Sequence, residues 1–313
     1  MTAETLIVLF GSLALQAARH APMGSLNGLP VAKYVAVTSE APFKRNQATL
    51  GIDVNAQAAV VMDVASGQVL YEKDSHTAYS IASLSKIITA MVFLDGKPNL
   101  DESVTFLQED DASAGKTVIP TGEKLNKREV LQALLIGSVN EAANVLARTS
   151  GGRDAFIDAM NRKARDIGME HAIFFDPSGL DSRNKASAKD VALALRAALK
   201  YPELRDTTEQ PAVTLAGRAS TRKYQIKTTN LLLASDLNKK PYHIIAAKTG
   251  TLPEAGFCMA QATRDQDGHE IIAVILAGDT HYSRFQDVKA LTYWSFQNFE
   301  WRGRQARSVL QEN

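Results

Sequence analysis

The sequence predicts a mixed α/β (α+β) fold in which an antiparallel five-stranded sheet is flanked by helices. Two strand-like segments lie near the start of the 313-residue chain, three more lie in its last third, and helical patterns fill the region between them. Because strands and helices are segregated in this way, the favoured arrangement is an antiparallel sheet that combines the N-terminal strands with the C-terminal ones. The helices then form a layer on the sheet and an all-helical insert.

The predicted sheet begins with a hairpin. Residues 58–64 (AAVVMDV) are typical of a buried strand, residues 65–67 form a turn, and residues 68–71 are the returning strand. Residues 81–94 (IASLSKIITAMVFL) follow and are apolar nearly all round, which is typical of a helix in the middle of a protein. Residues 22–55 lack periodicity and are read as a linker or irregular lead-in.

The remaining elements form one helical and one strand-rich block. Helical patterns cover residues 127–148, 153–167 and 187–199, and Ser187 is the predicted N-cap of the last of these. Strand patterns cover residues 243–248, 256–264 and 270–277, with a hairpin turn at Asp267-Gly268. An amphipathic helix over residues 283–301 closes the main domain.

The N-terminus predicts export. Residues 5–18 are uncharged and mostly apolar, like the apolar core of a secretory signal, and are too short to span a bilayer comfortably. Glu4 stands where such signals have a basic residue, and an N-terminal packing helix is the alternative. We predict a signal segment at 1–21, a main domain at 56–302 and a tail at 303–313, without a transmembrane anchor beyond the signal.

Composition excludes several classes of partner. The formal net charge is +1, from 35 basic and 34 acidic residues, so no overall charge indicates nucleic acid. Cys258 is the one cysteine, which excludes an intramolecular disulfide and a cysteine-rich metal site. The six histidines show no metal-binding spacing, so we predict no metal. A basic cluster either meets acidic peptides or, as we favour, is a solvated face: Arg218, Arg222, Lys223 and Lys227.

Three short motifs in order along the chain indicate an acyl-transfer site: Ser83-Leu-Ser-Lys86, Ser138-Val-Asn140 and Lys248-Thr249-Gly250. Ser-x-x-Lys and Ser-x-Asn also occur elsewhere, but only Ser83 opens a strongly apolar helix, where Lys86 would be desolvated. A neutral Lys86 can take the proton of the Ser83 hydroxyl. The alternative is that Ser83 caps the helix and Lys86 extends to the surface.

The second motif lies at a helix junction. From there Ser138 can relay a proton to a leaving amine, and Asn140 can hold Lys86 and a substrate amide. The alternative is a turn in which both side chains serve only as local caps.

The third motif ends one apolar strand and begins another. Lys248 and Thr249 offer a cation and a hydroxyl to a carboxylate, and Gly250 lets a substrate backbone approach. The N–H groups of Ser83 and Thr251 are the expected oxyanion donors. An edge strand with a solvated lysine is the alternative.

Taken together, the motifs resemble those of the low-molecular-mass penicillin-binding proteins, the serine D-alanyl-D-alanine peptidases. The resemblance covers about residues 58–301 and includes three further segments: Phe175-Asp-Pro-Ser-Gly-Leu180, Thr229-Asn-Leu-Leu232 and Glu254-Ala-Gly-Phe-Cys258. It implies a penicillin-recognising serine peptidase fold for the main domain and a nucleophilic Ser83. It also implies stem peptides of peptidoglycan as substrates, β-lactams as acylating mimics, a periplasmic role in cell-wall remodelling, and no cofactor.

The length of the chain indicates which subtype of this family the sequence resembles most. The last strands and the closing helix use nearly all residues after Gly250, which leaves no room for the added β-rich domain and amphipathic anchor of the larger carboxypeptidases. The sequence therefore looks most like the compact endopeptidase subtype, which cuts D-alanyl to diaminopimelyl cross-links.

Two alternative functions share these motifs. A class A β-lactamase needs a Glu-x-x-Leu-Asn segment for deacylation, whereas residues 175–181 here resemble the peptidase pattern. A non-catalytic sensor of peptidoglycan or β-lactams would be expected to lose the nucleophile or the base, and both are present. We therefore expect an enzyme that releases β-lactams slowly.

Overall fold

The computed structural model describes residues 41–112 and 117–301. The predicted signal segment at 1–21, the tail at 303–313 and most of the lead-in at 22–55 lie outside the described residues. The helices are α1 (Lys86–Asp95), α2 (Lys127–Ile136), α3 (Asn140–Arg148), α4 (Arg153–Asp166), α5 (Ala188–Ala198), α6 (Pro202–Thr208) and α7 (Ser283–Asn298).

The strands in chain order are β1 (Phe43–Lys44), β2 (Ala58–Asp63), β3 (Val69–Lys73), β4 (Tyr79–Ser80), β5 (Ser103–Thr105), β6 (Lys124–Asn126), β7 (Lys185–Ala186), β8 (Ala212–Ala216), β9 (Lys223–Lys227), β10 (Tyr242–Leu252), β11 (Gly256–Asp265), β12 (Glu270–Gly278) and β13 (Phe299–Glu300). Five of them form one antiparallel sheet in the order β10-β11-β12-β2-β3. The predicted union of the first hairpin with the C-terminal strands is confirmed, because β2 pairs with β12.

The sheet is buried on both faces, and this accounts for the unbroken apolar run of β2. Val60 and Met62 belong to the core beneath helix α1, whereas Ala59 and Val61 pack in a second core with α7. Alternate residues of a strand point to opposite faces, so a strand between two layers must be apolar throughout. Helix α1 contacts α2, α3, α4 and α5, which confirms its predicted central position.

Several element boundaries differ from the predictions. The helix predicted at 81–94 begins with a 3₁₀ turn, Ala82–Ser85, and Ala82 at its start has a φ of +47°, outside the range of an α-helix. The helical pattern at 127–148 divides into α2 and α3 around Ser138, whose φ is +58°. Helix α7 ends at Asn298 rather than at 301, because Phe299–Glu300 pair with β1. Both positive φ values fall at predicted site residues or next to them.

Helix α5 confirms the predicted cap, since the Ser187 side chain accepts a hydrogen bond from the N–H of Asp190. The turn at Asp267-Gly268 joins β11 to β12 as predicted, and Gly268 has a φ of +87°. Neither helix α6 nor the β8–β9 hairpin is predicted from the sequence. Among the described residues, no helix combines the length and the hydropathy needed to cross a bilayer.

Candidate active site

The Ser83 hydroxyl and the Lys86 amine lie 2.8 Å apart, at the start of α1. Ser83 belongs to the 3₁₀ turn, and Lys86 is the first residue of the α-helix, so one turn of chain brings both side chains to the same side. Ser83 is half-buried, whereas the Lys86 side chain is completely buried. The alternative in which Lys86 extends to the surface is therefore wrong.

Lys86 is held by three acceptors. Besides Ser83, its amine donates to the Asn140 side-chain oxygen over 2.8 Å and to the carbonyl oxygen of Ser178. Burial lowers the pKa of Lys86 to about 7, and the nearby carboxylates of Asp176 and Glu141 oppose part of that shift. A substantial fraction of Lys86 is then uncharged near neutral pH and can accept a proton.

The loop after α4 holds both Lys86 and the nucleophile turn. The Asp176 carboxylate accepts hydrogen bonds from the N–H groups of Ser178, Gly179 and Asp181 and from the side chain of Asn184. These bonds set the direction of the Ser178 carbonyl that receives the Lys86 amine. They also occupy the Asp176 carboxylate, which is buried and is thus not free to activate a water molecule.

Two glycines let separate segments approach the backbone at Ser83. A Cβ on Gly179 would lie 2.1 Å from the carbonyl oxygen of Ala82 and 2.9 Å from the nitrogen of Ser83. A Cβ on Gly250 would lie 2.8 Å from the carbonyl oxygen of Ile81 and 3.2 Å from the nitrogen of Ser83. Any side chain at either position would displace the turn that presents the Ser83 hydroxyl.

The second and third motifs meet across the cleft. The Lys248 amine donates to the Ser138 hydroxyl over 2.7 Å and to the carbonyl oxygen of Thr249 over 2.8 Å. Lys248 is buried, and its pKa lies well below the ordinary lysine value because of that burial and, secondarily, the charges of Lys86 and Arg284. The alternative of a solvated lysine on an edge strand is wrong, although β10 is an edge strand of the sheet.

Arg284 on α7 is a site residue that the sequence prediction missed. Its guanidinium donates to the carbonyl oxygen of Gly250 over 3.1 Å, to the hydroxyl of Thr251 over 2.9 Å and to a ring nitrogen of His281 over 3.0 Å. The side chain is buried, and its Nε has no hydrogen-bond partner within the described residues. A signal existed in the sequence, because Arg284 shares its helix face with the core residues Val288 and Leu291.

These groups surround a cleft of about 360 Å³. Six of the eight predicted site residues line it. The other two, Lys86 and Lys248, do not line the cleft, but their amines donate hydrogen bonds to the cleft residues Ser83 and Ser138. The lining residues are Ser83, Ser138, Asn140, Gly179, Leu180, Thr228, Thr229, Leu231, Thr249, Gly250, Thr251, Leu252, His281 and Arg284. The cleft thus combines a serine, a buried lysine and two further cations, the set that acyl transfer next to a carboxylate requires.

Within the described part of the chain, one group of side chains has ligand atoms close enough for a metal ion: Asp265, Asp267 and His269. The Asp265 carboxylate already accepts the N–H groups of the other two residues and contacts the His269 ring nitrogen. This turn between β11 and β12 contributes nothing to the lining of the cleft.

Comparison with known proteins extends the likeness beyond the motifs. The sequence profile of the D-alanyl-D-alanine carboxypeptidase family matches residues 42–280. A D-alanyl-D-alanine endopeptidase of Pseudomonas aeruginosa is 31% identical over 293 residues, which cover 93% of this chain and 87% of the relative. One of Escherichia coli is 30% identical over 247 residues, 77% of each chain.

Solved structures agree with the fold. The Streptomyces K15 DD-transpeptidase aligns with a TM-score of 0.74 and 26% identity, covering 80% of this chain and all of that one. Penicillin-binding protein D2 from Listeria monocytogenes, in its cefotaxime-bound form, aligns with a TM-score of 0.68 and 29% identity, covering 79% of this chain and all of that one. The predicted fold class is therefore confirmed, and this chain belongs to the D-alanyl-D-alanine carboxypeptidase family of serine peptidases.

Proposed function

We propose that this protein is a periplasmic endopeptidase that hydrolyses D-alanyl to diaminopimelyl cross-links of peptidoglycan through an acyl-enzyme on Ser83. The observation that carries this proposal is the 2.8 Å contact between Ser83 and a buried Lys86 whose pKa is about 7. The endopeptidase names of the relatives that align along most of their own length support the choice of reaction.

The proposed reaction starts with proton transfer. Neutral Lys86 takes the proton of the Ser83 hydroxyl as the oxygen attacks the carbonyl carbon of the D-alanine residue. The N–H groups of Ser83 and Thr251 would hold the negative charge that develops on the carbonyl oxygen. The close approach of Gly250 to the Ser83 nitrogen supports this pairing of the turn with strand β10.

Ser138 is the proposed proton donor to the leaving amine. Its oxygen accepts a hydrogen bond from Lys248, so its own hydrogen is free to point at the leaving nitrogen. Lys248, whose amine donates to the Ser138 hydroxyl, would restore the proton lost there, and the proton that Lys86 takes from Ser83 would keep the number of protons on the site constant. Asn140 keeps the Lys86 amine aligned during the cycle.

Lys248, Thr249 and Arg284 would bind the carboxylate beside the scissile bond. Arg284 and Lys248 provide positive charge, and the Thr249 hydroxyl, which lies 2.7 Å from that of Thr229, would turn its hydrogen from Thr229 to the bound carboxylate. Both cations are buried, so a bound carboxylate would compensate charges that water does not screen. The cleft would therefore bind peptides with a free carboxylate next to the cleaved bond more tightly than peptides without one.

Water completes the proposed cycle by hydrolysing the ester at Ser83. The carboxylate of Asp176 is bound by backbone N–H groups and so would not serve as the deacylating base of a β-lactamase. We therefore propose that benzylpenicillin acylates Ser83 and is released slowly. In this proposal residues 56–302 are the peptidase domain, and an N-terminal signal at 1–21 exports it to the periplasm.

Intact-protein mass after incubation with benzylpenicillin tests the proposal, using the wild type and Ser83→Ala. We expect one persistent adduct on the wild type and none on the variant. Hydrolysis of a cross-linked muropeptide dimer, compared with an uncross-linked pentapeptide, then tests the preferred reaction. Penicillin that is consumed without an adduct would indicate a β-lactamase, and penicillin that stays intact without an adduct would indicate a sensor.

A further inference from the structure

Strand β9 exposes one side of itself beside the catalytic cleft. Lys223, Gln225 and Lys227, here called the edge residues, are exposed, whereas Tyr224 and Ile226 between them are buried. This alternation has the period of a strand with one face on a core and the other in solvent. The basic cluster noted in the sequence thus becomes an ordered row on one strand.

The backbone of the edge residues points away from β8. The N–H of Gly217 donates to the carbonyl of Arg222, and the N–H of Thr228 donates to the carbonyl of Pro211. Antiparallel pairs alternate between hydrogen-bonded and non-hydrogen-bonded positions, so Tyr224 and Ile226 bond to β8. The N–H and C=O groups of the edge residues therefore face the opposite side of β9.

Among the residues at 41–112 and 117–301, that opposite side is an unpaired strand edge. Strands β8 and β9 form a two-stranded sheet of their own. In the described part of the chain, no backbone hydrogen bond connects the edge residues to a further segment. An unpaired edge is a template for an additional extended chain.

A groove of about 460 Å³ borders this edge. Thr117 and Val118 line one part of it, and Arg222 with the first three residues of β9, Lys223–Gln225, lines the rest. Beyond Lys227, where β9 ends, the chain continues into Thr228 and Thr229, which line the catalytic cleft. An extended chain lying along β9 would thus lead directly to Ser83.

Two lysines lie on this strand edge, and one of them, Lys223, also lines the groove. Neither Lys223 nor Lys227 has an ion-pair partner among the residues at 41–112 and 117–301. Two neighbouring carboxylates are already engaged, since Glu129 pairs with Arg218 and the buried Glu123 accepts the hydroxyl of Tyr224. Lys223 and Lys227 lie four residues apart, about 13 Å along an extended strand.

We propose that the free edge of β9 binds an extended acidic peptide by strand addition, and that this peptide is the second stem peptide of a cross-linked substrate. The inference rests on the proposed endopeptidase function. Backbone groups of the edge residues would pair with peptide amides, while Lys223 and Lys227 meet the free carboxylates of the stem. A cross-linked substrate has two stems, so a second stem site would favour it over an uncross-linked one.

Replacing Gln225 with proline tests the strand edge. Proline removes the one N–H of residue 225, which faces the groove, and leaves every bond between β9 and β8 intact. The matched control is Gln225→Ala, which loses the same side chain and keeps that N–H. We expect Gln225→Pro to raise KM for a muropeptide dimer about ten-fold and Gln225→Ala to leave it near the wild-type value.

Replacing Lys223 and Lys227 together with glutamine tests the charge. We expect KM for the dimer to rise about three- to ten-fold and to lose most of its dependence on salt concentration. The matched control removes two exposed lysines elsewhere, Lys97→Gln with Lys200→Gln, and should change neither quantity.

Two readouts separate this inference from the proposed function. Acylation by benzylpenicillin and cleavage of the uncross-linked pentapeptide should be the same in all four variants and the wild type. Equal dimer kinetics for Gln225→Pro and Gln225→Ala would overturn strand addition, and the lysines would then only protect an edge from aggregation. A wild type that binds penicillin but does not cleave the dimer would refute the endopeptidase function itself.

Discussion

Gly179 lies against the backbone of Ala82 so closely that a Cβ on Gly179 would be 2.1 Å from the Ala82 carbonyl oxygen. Ala82 precedes the nucleophile and itself has a φ of +47°. The strained turn at Ser83 therefore packs against the segment around Gly179, which is distant in sequence. Gly179 also has a φ of +81°. A side chain there would therefore both strain the backbone and collide with Ala82.

We predict that Gly179→Ala lowers the rate of acylation by benzylpenicillin at least about 100-fold, because a displacement of about 1 Å at the nucleophile has an effect of that size. The control is Gly168→Ala. Gly168 has a φ of +83° and no atom within 4 Å of the added methyl, so it carries the same backbone cost without the clash. If the two variants acylate equally fast, contact with Ala82 does not position Ser83.

The pH dependence of acylation should follow Lys86. Burial lowers the pKa of Lys86 to about 7, and only its neutral form can accept the Ser83 proton. We predict that the second-order acylation rate constant rises with pH through about 7 and is about ten-fold below its plateau at one unit under that pKa. Stopped-flow fluorescence with a labelled penicillin measures the profile.

Circular dichroism over the same pH range is the control for loss of folded protein. A rate constant that starts to rise only near pH 10 would mean that Lys86 keeps its ordinary pKa. A flat profile would mean that another group accepts the proton.

The three motifs of the site can be predicted from the sequence, whereas the contacts of Gly179 and Arg284 cannot. The three motifs consist of residue types whose chemistry is readable at short spacing, and Ser83 and Lys86 need only one helical turn to meet. Gly179 lies in a segment that resembles the family, yet its contact with Ala82 depends on tertiary packing, which the spacing of residues in the sequence does not show. Arg284 has the spacing of a buried residue of α7, but the sequence does not show that this face of the helix contacts Gly250 and Thr251 on β10.

The β8–β9 hairpin was also missed, for a local reason. Residues 223–227 alternate with period two, which is a strand signal, but residues 217–222 separate them from β8 by a long polar turn. The turn is held by the distant Glu123, which accepts hydrogen bonds from the N–H of Ala219 and the hydroxyl of Ser220. Because the carboxylate that stabilises this hairpin comes from Glu123, just before β6, the sequence of the hairpin itself carries little signal for it.

Arg284 should recognise the substrate carboxylate. We predict that Arg284→Gln raises KM for an acyl-D-Ala-D-Ala peptide about 30-fold, which corresponds to losing about 2 kcal/mol from a charge-assisted hydrogen bond. The peptide whose terminal carboxylate is replaced by an amide should show almost no difference between variant and wild type. Steady-state hydrolysis of the two peptides measures both effects.

A second variant, Arg284→Lys, distinguishes a role of Arg284 in binding the substrate carboxylate from a role in folding. Arg284→Lys keeps the charge but loses the guanidinium nitrogen that donates to both Gly250 and Thr251, so it should restore part of the affinity. An equal rise in KM for the acid and the amide would show that Arg284 only supports strand β10.

Because of Glu123, the free energy of unfolding of the domain should fall as the pH is lowered into the acid range. Burial alone would raise the pKa of this carboxylate, but hydrogen bonds from Ser220, the N–H of Lys124, Tyr224 and the N–H of Ala219 outweigh it and lower the pKa to about 2. The value in the unfolded chain is near 4.5. A carboxylate with a depressed pKa stabilises the fold fully above its unfolded pKa and loses that contribution as pH falls toward the folded one.

We predict that Glu123→Gln lowers the free energy of unfolding by about 2 kcal/mol at pH 7 and that the difference from wild type shrinks between about pH 4.5 and pH 2. Urea denaturation at pH 7, 5 and 3 measures this, with the exposed Glu170→Gln as the matched control. Because Glu123 holds the turn of the β8–β9 hairpin and bonds to Tyr224 between the edge residues, dimer cleavage should weaken in the same variant while penicillin acylation persists. A pH-independent loss of stability would show that Glu123 acts through packing rather than through its charge.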